Sequence, residues 1–154
     1  MLEQAVRHFP SVSADNIVDE AAVFLALTEL KNHQRINNKT GAVHAAAWCS
    51  PEGDILAVRE DVGRHNALDK LIGASIKAGT KFDEGFALIT SRASYEMVIK
   101  AASVGIPMLC AVSAATQLAV QTAQKMNMTL LGFARSTGFV IYTHPQRLRQ
   151  KDHN

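Results

Sequence analysis

The spacing of apolar positions changes character several times along the chain, and each change marks an element. Residues 15–31 read as a helix, with Ser13 or Asp15 as its cap and Ile17, Ala21, Phe24, Leu25 and Thr28 on one face. The polar stretch 31–39, with Asn37 and Asn38 as turn formers, ends it. Residues 43–49 and 55–59 are strand-like and flank Ser50-Pro51-Glu52-Gly53-Asp54, a hairpin signal. Residues 64–78 return to helical spacing through Ala67, Leu68, Leu71, Ile72, Ser75 and Ile76, and Gly79 is the candidate C-cap.

From there the pattern becomes regular. Residues 86–89, 108–112 and 129–133 are short apolar runs. Between them lie helical patterns over 94–104 and 115–127, the second with Ala115, Leu118, Ala119, Thr122, Ala123 and Met126 on one stripe. Strands without polar alternation are buried on both faces, and their alternation with helices predicts a right-handed β-α-β-α-β unit with parallel pairing over 85–134. A last strand, 139–142, follows the turn Arg135-Ser136-Thr137-Gly138. The expected fold class is α/β: a mixed sheet with helices on both faces.

Composition narrows the setting. At 154 residues the chain is one domain's worth, since domains run to about 100–200 residues. With 47% hydrophobic and 19% charged residues it carries enough apolar material for a core, which argues against disorder. The longest apolar run, 21–27, is seven residues, far below the ~18 of a membrane span, and no basic start with a long apolar segment marks a secretory signal. The expectation is a cytoplasmic protein that engages no membrane. A formal charge of +2 gives no nucleic-acid footprint, and the one basic cluster, Arg147, Arg149 and Lys151, reads as a solvated end. Cys49 and Cys110 lie in separate apolar runs and form no CxxC, so each is expected to be a buried, inert thiol.

Candidate chemistry collects where an open α/β sheet holds its ligands, beyond the carboxyl ends of the strands. Thr90-Ser91-Arg92-Ala93-Ser94 and Val112-Ser113-Ala114-Ala115-Thr116 each lead from a strand into a helix, offering hydroxyls and backbone N–H groups to an anion; Arg92 adds a forked donor. Ser94 and Ser113 are equally readable as simple N-caps. The third segment, Glu60-Asp61-Val62-Gly63-Arg64-His65-Asn66, crowds charged groups at the start of a helix. His44, in an apolar run, reads as a buried, hydrogen-bonded histidine. No GxGxxG, Walker lysine loop or GxSxG elbow is present. The residues alone thus support an anion-friendly pocket in an α/β domain.

Longer strings carry a resemblance. Thr40-Gly41-Ala42-Val43-His44-Ala45-Ala46-Ala47-Trp48 and Ala57-Val58-Arg59-Glu60-Asp61-Val62-Gly63-Arg64-His65-Asn66-Ala67-Leu68-Asp69-Lys70 resemble the FdhD/NarQ family, the formate dehydrogenase accessory sulfurtransferases. Ser91-Arg92-Ala93-Ser94-Tyr95-Glu96, Ala111-Val112-Ser113-Ala114-Ala115, Gly132-Phe133 and Tyr142-Thr143-His144-Pro145-Gln146-Arg147-Leu148 fit the same family, so the likeness runs from about residue 40 to 148. It implies a sulfur carrier that takes sulfur from a cysteine desulfurase and passes it to molybdenum bis(molybdopterin guanine dinucleotide), bound in transit, for formate dehydrogenase and its catalytic subunit. It implies a homodimer, and a division into a lead-in with a helix (1–39), a cofactor-binding portion (40–148) and a basic tail (149–154) within one globular body. Carried over position by position, the cofactor contact falls on Phe133, Ala134, Arg135, Ser136, Thr137 and Gly138; Arg64, His65, Ser91 and Arg92 belong to the same sheet edge. GDP would then serve as a mimic of the cofactor, with Glu60 and Asp61 accepting hydrogen bonds from guanine.

The family bears its sulfur on a CxxC loop ahead of the matched portion; this sequence has no CxxC, so the expectation is a carboxyl-terminal portion without that loop and without catalytic residues of its own. The family is similar in fold to cytidine deaminases, which implies a three-layer arrangement. Zinc deaminases need HxE and a PCxxC turn. Here the matching places are His65-Asn66-Ala67 and Arg92-Ala93-Ser94, which lack the glutamate and both cysteines, so no zinc and no metal site are expected. A zinc-free, degenerate deaminase-like enzyme and a partner-docking module are the alternatives.

Overall fold

A computed structural model describes residues 11–37 and 43–150, with side chains described for 11–34 within the first stretch. In chain order the elements are β1 (Val18–Asp19), α1 (Glu20–Asn37), β2 (His44–Cys49), β3 (Ile55–Asp61), α2 (Arg64–Lys77), β4 (Phe86–Ile89), α3 (Tyr95–Ser103), β5 (Met108–Ala111), α4 (Gln117–Lys125), β6 (Thr129–Arg135), β7 (Gly138–Thr143), a single 3₁₀ turn (Pro145–Arg147) and β8 (Leu148–Arg149). Six strands form one sheet in the order β3-β2-β4-β5-β6-β7. β4, β5 and β6 pair in parallel, while β3–β2, β2–β4 and β6–β7 are antiparallel, so the sheet is mixed.

The all-apolar runs explain the layering. Along β4, Ala87 and Ile89 face one core and Phe86 and Leu88 the other, because side chains of a strand alternate between faces. The first core is closed by α2, α3 and α4 through Ala67, Leu68, Leu71, Met97, Val98, Ala101, Ala119 and Ala123. The second is closed by α1 through Ala22, Val23, Ala26, Leu27 and Leu30. The result is three layers, with α1 on one face of the sheet and three helices on the other.

Three features correct the reading from sequence. α1 starts at Glu20, after the short strand β1, so neither Ser13 nor Asp15 caps it, and it continues through the polar stretch to Asn37. Its buried stripe is 22, 23, 26, 27 and 30; Ile17 and Leu25 are about half exposed and Ala21 and Thr28 face solvent. The apolar run 21–27 wraps most of the helix, so spacing alone leaves the phase open. Residues 38–42, including Thr40, Gly41 and Ala42, lie outside the described residues.

Arg147 is the second correction. It is 3% exposed, and its guanidinium donates to the carbonyls of Ala14 (2.8 Å), Asn127 and Pro107 and to Thr129 Oγ1. Burial lowers its pKa while Asp15 opposes that shift. Beside it β8 pairs in parallel with β1, and Arg149 forms an ion pair with Asp19. The two ends of the described chain are therefore stapled together, with Arg147 buried between them and Arg149 exposed as expected; Lys151 lies outside the described residues.

The third is a cap. Thr116, not Ser113, caps α4, its Oγ1 accepting from Ala119 N at 3.1 Å. Ser94 caps α3 as its position suggests. Gly79 takes φ +75 one residue beyond the Ala78 C-cap of α2; Gly79 N donates to Ile76 O and Thr80 N to Ser75 O, the paired bonds of a Schellman closure. In the hairpin, Gly53 has φ +96, and a Cβ there would stand 2.5 Å from the Ala22 carbonyl oxygen, so the turn packs directly on α1.

Candidate functional site

Because β3 and β4 both run antiparallel to β2, the carboxyl ends of β3, β4, β5 and β6 share one edge of the sheet. The three loops singled out in the sequence all open there. The loops after β4 and β5 are tied by Ala93 N to Ala114 O, Thr116 N to Ala93 O and a parallel bridge between Ala93 and Ala115. The end of β6 joins them through Phe133 N donating to Ser113 O at 3.0 Å.

β6 reaches further than its neighbour. The register puts Ala111 opposite Gly132, so residues 133–135 run past the end of β5, about 10 Å of strand. A bulge at 132–135 accompanies Phe133 at φ +51. Gly132 permits it: a Cβ there would collide with the Tyr142 ring and press on Ser113 O. Phe133, Arg135, Ser136 and Thr137 are exposed along this projecting hairpin, and Gly138, at φ +156, closes it opposite Arg135. Ala134 differs. Its side chain is fully buried in the core under α1, leaving only its backbone at the edge.

Several groups at this edge are already engaged. Thr90 Oγ1 accepts from Ala45 N at 2.9 Å, and Ser91, 5% exposed, donates to Arg92 O. Asp61 forms an ion pair with Lys70 at 2.6 Å and accepts from Gly63 N and Asn66 Nδ2, which together hold its carboxyl down to about 2. Glu60 faces His33 Nε2 at 3.3 Å. Asp61 thus braces the entry to α2, and Glu60 links the end of β3 to α1. His44 is half-buried rather than buried.

The cations behave otherwise. Arg64, Arg92 and Arg135 are exposed and have no ion pair among the described residues, whereas Lys70, Lys100 and Arg149 each have a carboxylate partner. Arg64 and Arg92 follow β3 and β4 and Arg135 ends β6, so they are strung over four strand spacings, roughly 19 Å at ~4.8 Å each. α2, whose first residue is Arg64, has Gly63 as its N-cap and no side-chain cap, unlike α3 and α4. Its first N–H groups and the positive end of its dipole therefore remain open to an anion. His65 follows, with Nε2 3.4 Å from Ser94 Oγ and 4.0 Å from Glu96 Oε2.

The thiols are remote from this edge in environment. Cys49 and Cys110 are fully buried under α1; burial, with the Glu29 charge, pushes Cys49 up to about 12, and burial, with Cys49, raises Cys110. Among the described residues no three His, Cys, Asp or Glu side chains gather as a metal site, and no helix is long and apolar enough to cross a membrane.

This geometry meets a family match that covers residues 1–149 and is described as FdhD/NarQ. The chain belongs to the FdhD/NarQ family. The match extends the likeness seen in the sequence back from residue 40 to the first residue. Relatives named sulfur carrier protein FdhD are 51% identical in Xanthomonas euvesicatoria pv. vesicatoria (strain 85-10) and 48% in Bordetella bronchiseptica, each over 147 residues. These cover 96% of this chain and 52% and 53% of the relatives, so the chain spans about half the length of the curated relatives it matches. A crystal structure from Desulfotalea psychrophila, of a protein assigned as a formate dehydrogenase accessory protein, superposes with TM-score 0.82 at 26% identity, covering 91% of this chain and 62% of that one.

Proposed function

We propose that this chain is the cofactor-holding part of a cytoplasmic sulfurtransferase that serves formate dehydrogenase. Its cargo is molybdenum bis(molybdopterin guanine dinucleotide), gripped through the guanosine diphosphate portions. Sulfur passes to that cargo from a cysteine desulfurase, and the loaded cofactor goes on to the catalytic subunit of formate dehydrogenase. The homodimer implied by the family likeness belongs to this reading.

The observation that carries the reading is the row of arginines without an ion pair among the described residues, Arg64, Arg92 and Arg135, along one sheet edge. Guanidinium forks suit phosphate oxygens, and three of them spread over many ångströms suit an extended dinucleotide better than a single small anion. Phe133 presents an exposed ring beside Arg135 for a base, and Ser136, Thr137 and the Gly138 backbone supply short donors at the hairpin tip. The sulfur itself rides on thiols other than Cys49 and Cys110, because a persulfide carrier must be exposed and readily ionised. The names of the relatives, sulfur carrier and formate dehydrogenase accessory protein, support the same role.

Calorimetric titration with GDP tests it. Wild type binds; Arg64→Ala, Arg92→Ala and Arg135→Ala each lose about ten- to a hundredfold in affinity, the worth of one charge-assisted contact at ~1.5–3 kcal/mol. Three variants that all bind like wild type would remove the edge as the site.

A further inference from the structure

His65 and Ser94 join two of the loops at the arginine edge, and the ring tautomer sets which of them donates. Ser94 Oγ accepts from Met97 N at 3.4 Å as the cap of α3, and lies 3.4 Å from His65 Nε2. A hydroxyl has one proton to give, and with Met97 on its accepting side that proton is available to the imidazole. Such a bond requires Nε2 to be bare, which would leave the proton of the neutral ring on Nδ1, an atom with no partner among the described residues. The contact is long for a hydrogen bond. Glu96 Oε2, 4.0 Å from the same Nε2, can bond it only when the ring is protonated on that atom.

We infer that Ser94 is a positioning residue: it fixes His65 as the Nδ1–H tautomer, so that the ring offers a donor to an anionic group held between Arg64 and Arg92. This rests on the anion-binding reading of the edge above. It separates two jobs that one side chain performs, since capping α3 needs only an acceptor at Ser94 and orienting His65 needs its proton.

Three substitutions at Ser94 split these jobs. Glycine has no hydroxyl yet is tolerated at an N-cap by its backbone freedom, and it has no proton to offer; alanine is a poor N-cap and has none either, and threonine keeps both functions. The ring nitrogens are read by long-range ¹H–¹⁵N correlation at about pH 8, where an ordinary histidine is neutral. Alongside come GDP titration and thermal melting of the same proteins. The wild type and Ser94→Thr should show Nδ1–H. Ser94→Gly should shift the ring toward Nε2–H and weaken GDP binding about tenfold while melting close to wild type. Ser94→Ala should show both losses together with a lower melting temperature. A wild-type ring protonated on Nε2, or a Ser94→Gly protein unchanged in tautomer and affinity, would overturn the inference. A wild type that ignores GDP would instead remove the anion-binding reading, and the ring spectra would then decide on Ser94 alone.

Discussion

Replacing Arg147 by methionine keeps the buried aliphatic stem and removes the guanidinium, which isolates the worth of its hydrogen bonds. Ala14 O at 2.8 Å, Asn127 O and, at longer range, Thr129 Oγ1 (3.3 Å) lose this donor, while Pro107 O (3.4 Å) keeps its bond from Thr129 N. Hydrogen bonds to a charged donor contribute about 1.5–3 kcal/mol each, so the two short ones alone amount to roughly 3–6 kcal/mol. Removing a 3% exposed charge gives back part of its desolvation cost, but Ala14 O and Asn127 O stay half-buried without this donor, and a buried acceptor left unsatisfied costs about 1–3 kcal/mol. The expected loss is therefore about 3 kcal/mol. In urea, with a slope of about 2 kcal/mol/M for a chain of this size, the midpoint should fall by roughly 1.5 M. Lysine should recover little of it, because one ammonium cannot reach several carbonyls in the plane of a fork. A loss under about 1 kcal/mol would show that desolvation cancels these bonds, and that Arg147 is not what staples the ends of the chain.

Two further outcomes follow from the pKa directions. Asp61 is held down to about 2 when folded, below its usual value near 4, so its stabilisation is complete above about pH 4 and disappears as pH falls through 2. Urea unfolding of Asp61→Asn should therefore show a deficit against wild type at pH 7 that closes at pH 2; an equal deficit at both would rule out the ion pair with Lys70 as its source. Cys49 and Cys110, both buried and raised, should resist iodoacetamide at pH 8 in the native protein and react promptly in urea; native-state labelling at the denatured rate would contradict their placement under α1.

The parallel core of the sheet was readable from sequence because strands buried on both faces have no polar positions: Phe86–Ile89 and Met108–Ala111 are apolar throughout and buried throughout. The phase of α1 was not, since seven consecutive apolar residues fit any face, and only contact with Ala45, Ala47 and Phe86 chooses one. Strands of two residues, 130 positions apart, leave no periodic trace, so the β1–β8 pairing and the role of Arg147 emerge only in three dimensions. At the site, the loops with Arg64 and Arg92 were named by their position at strand ends, and Arg135 by the family likeness. The bulge that lifts Phe133 depends on Gly132 fitting between Tyr142 and Ser113, a contact across strands that no local pattern reports. Chemistry resolved the acids: with Lys70 in reach of Asp61 and His33 of Glu60, they hold the site together within the chain.

The central claim is that charge along one sheet edge holds a diphosphate. Comparing GDP with guanosine on the wild-type protein, at low and at physiological salt, tests it most directly. The account predicts that GDP binds, that guanosine binds at least about tenfold more weakly, and that added salt narrows the gap by screening exposed arginines. Equal affinity for the two ligands, indifferent to salt, would contradict it.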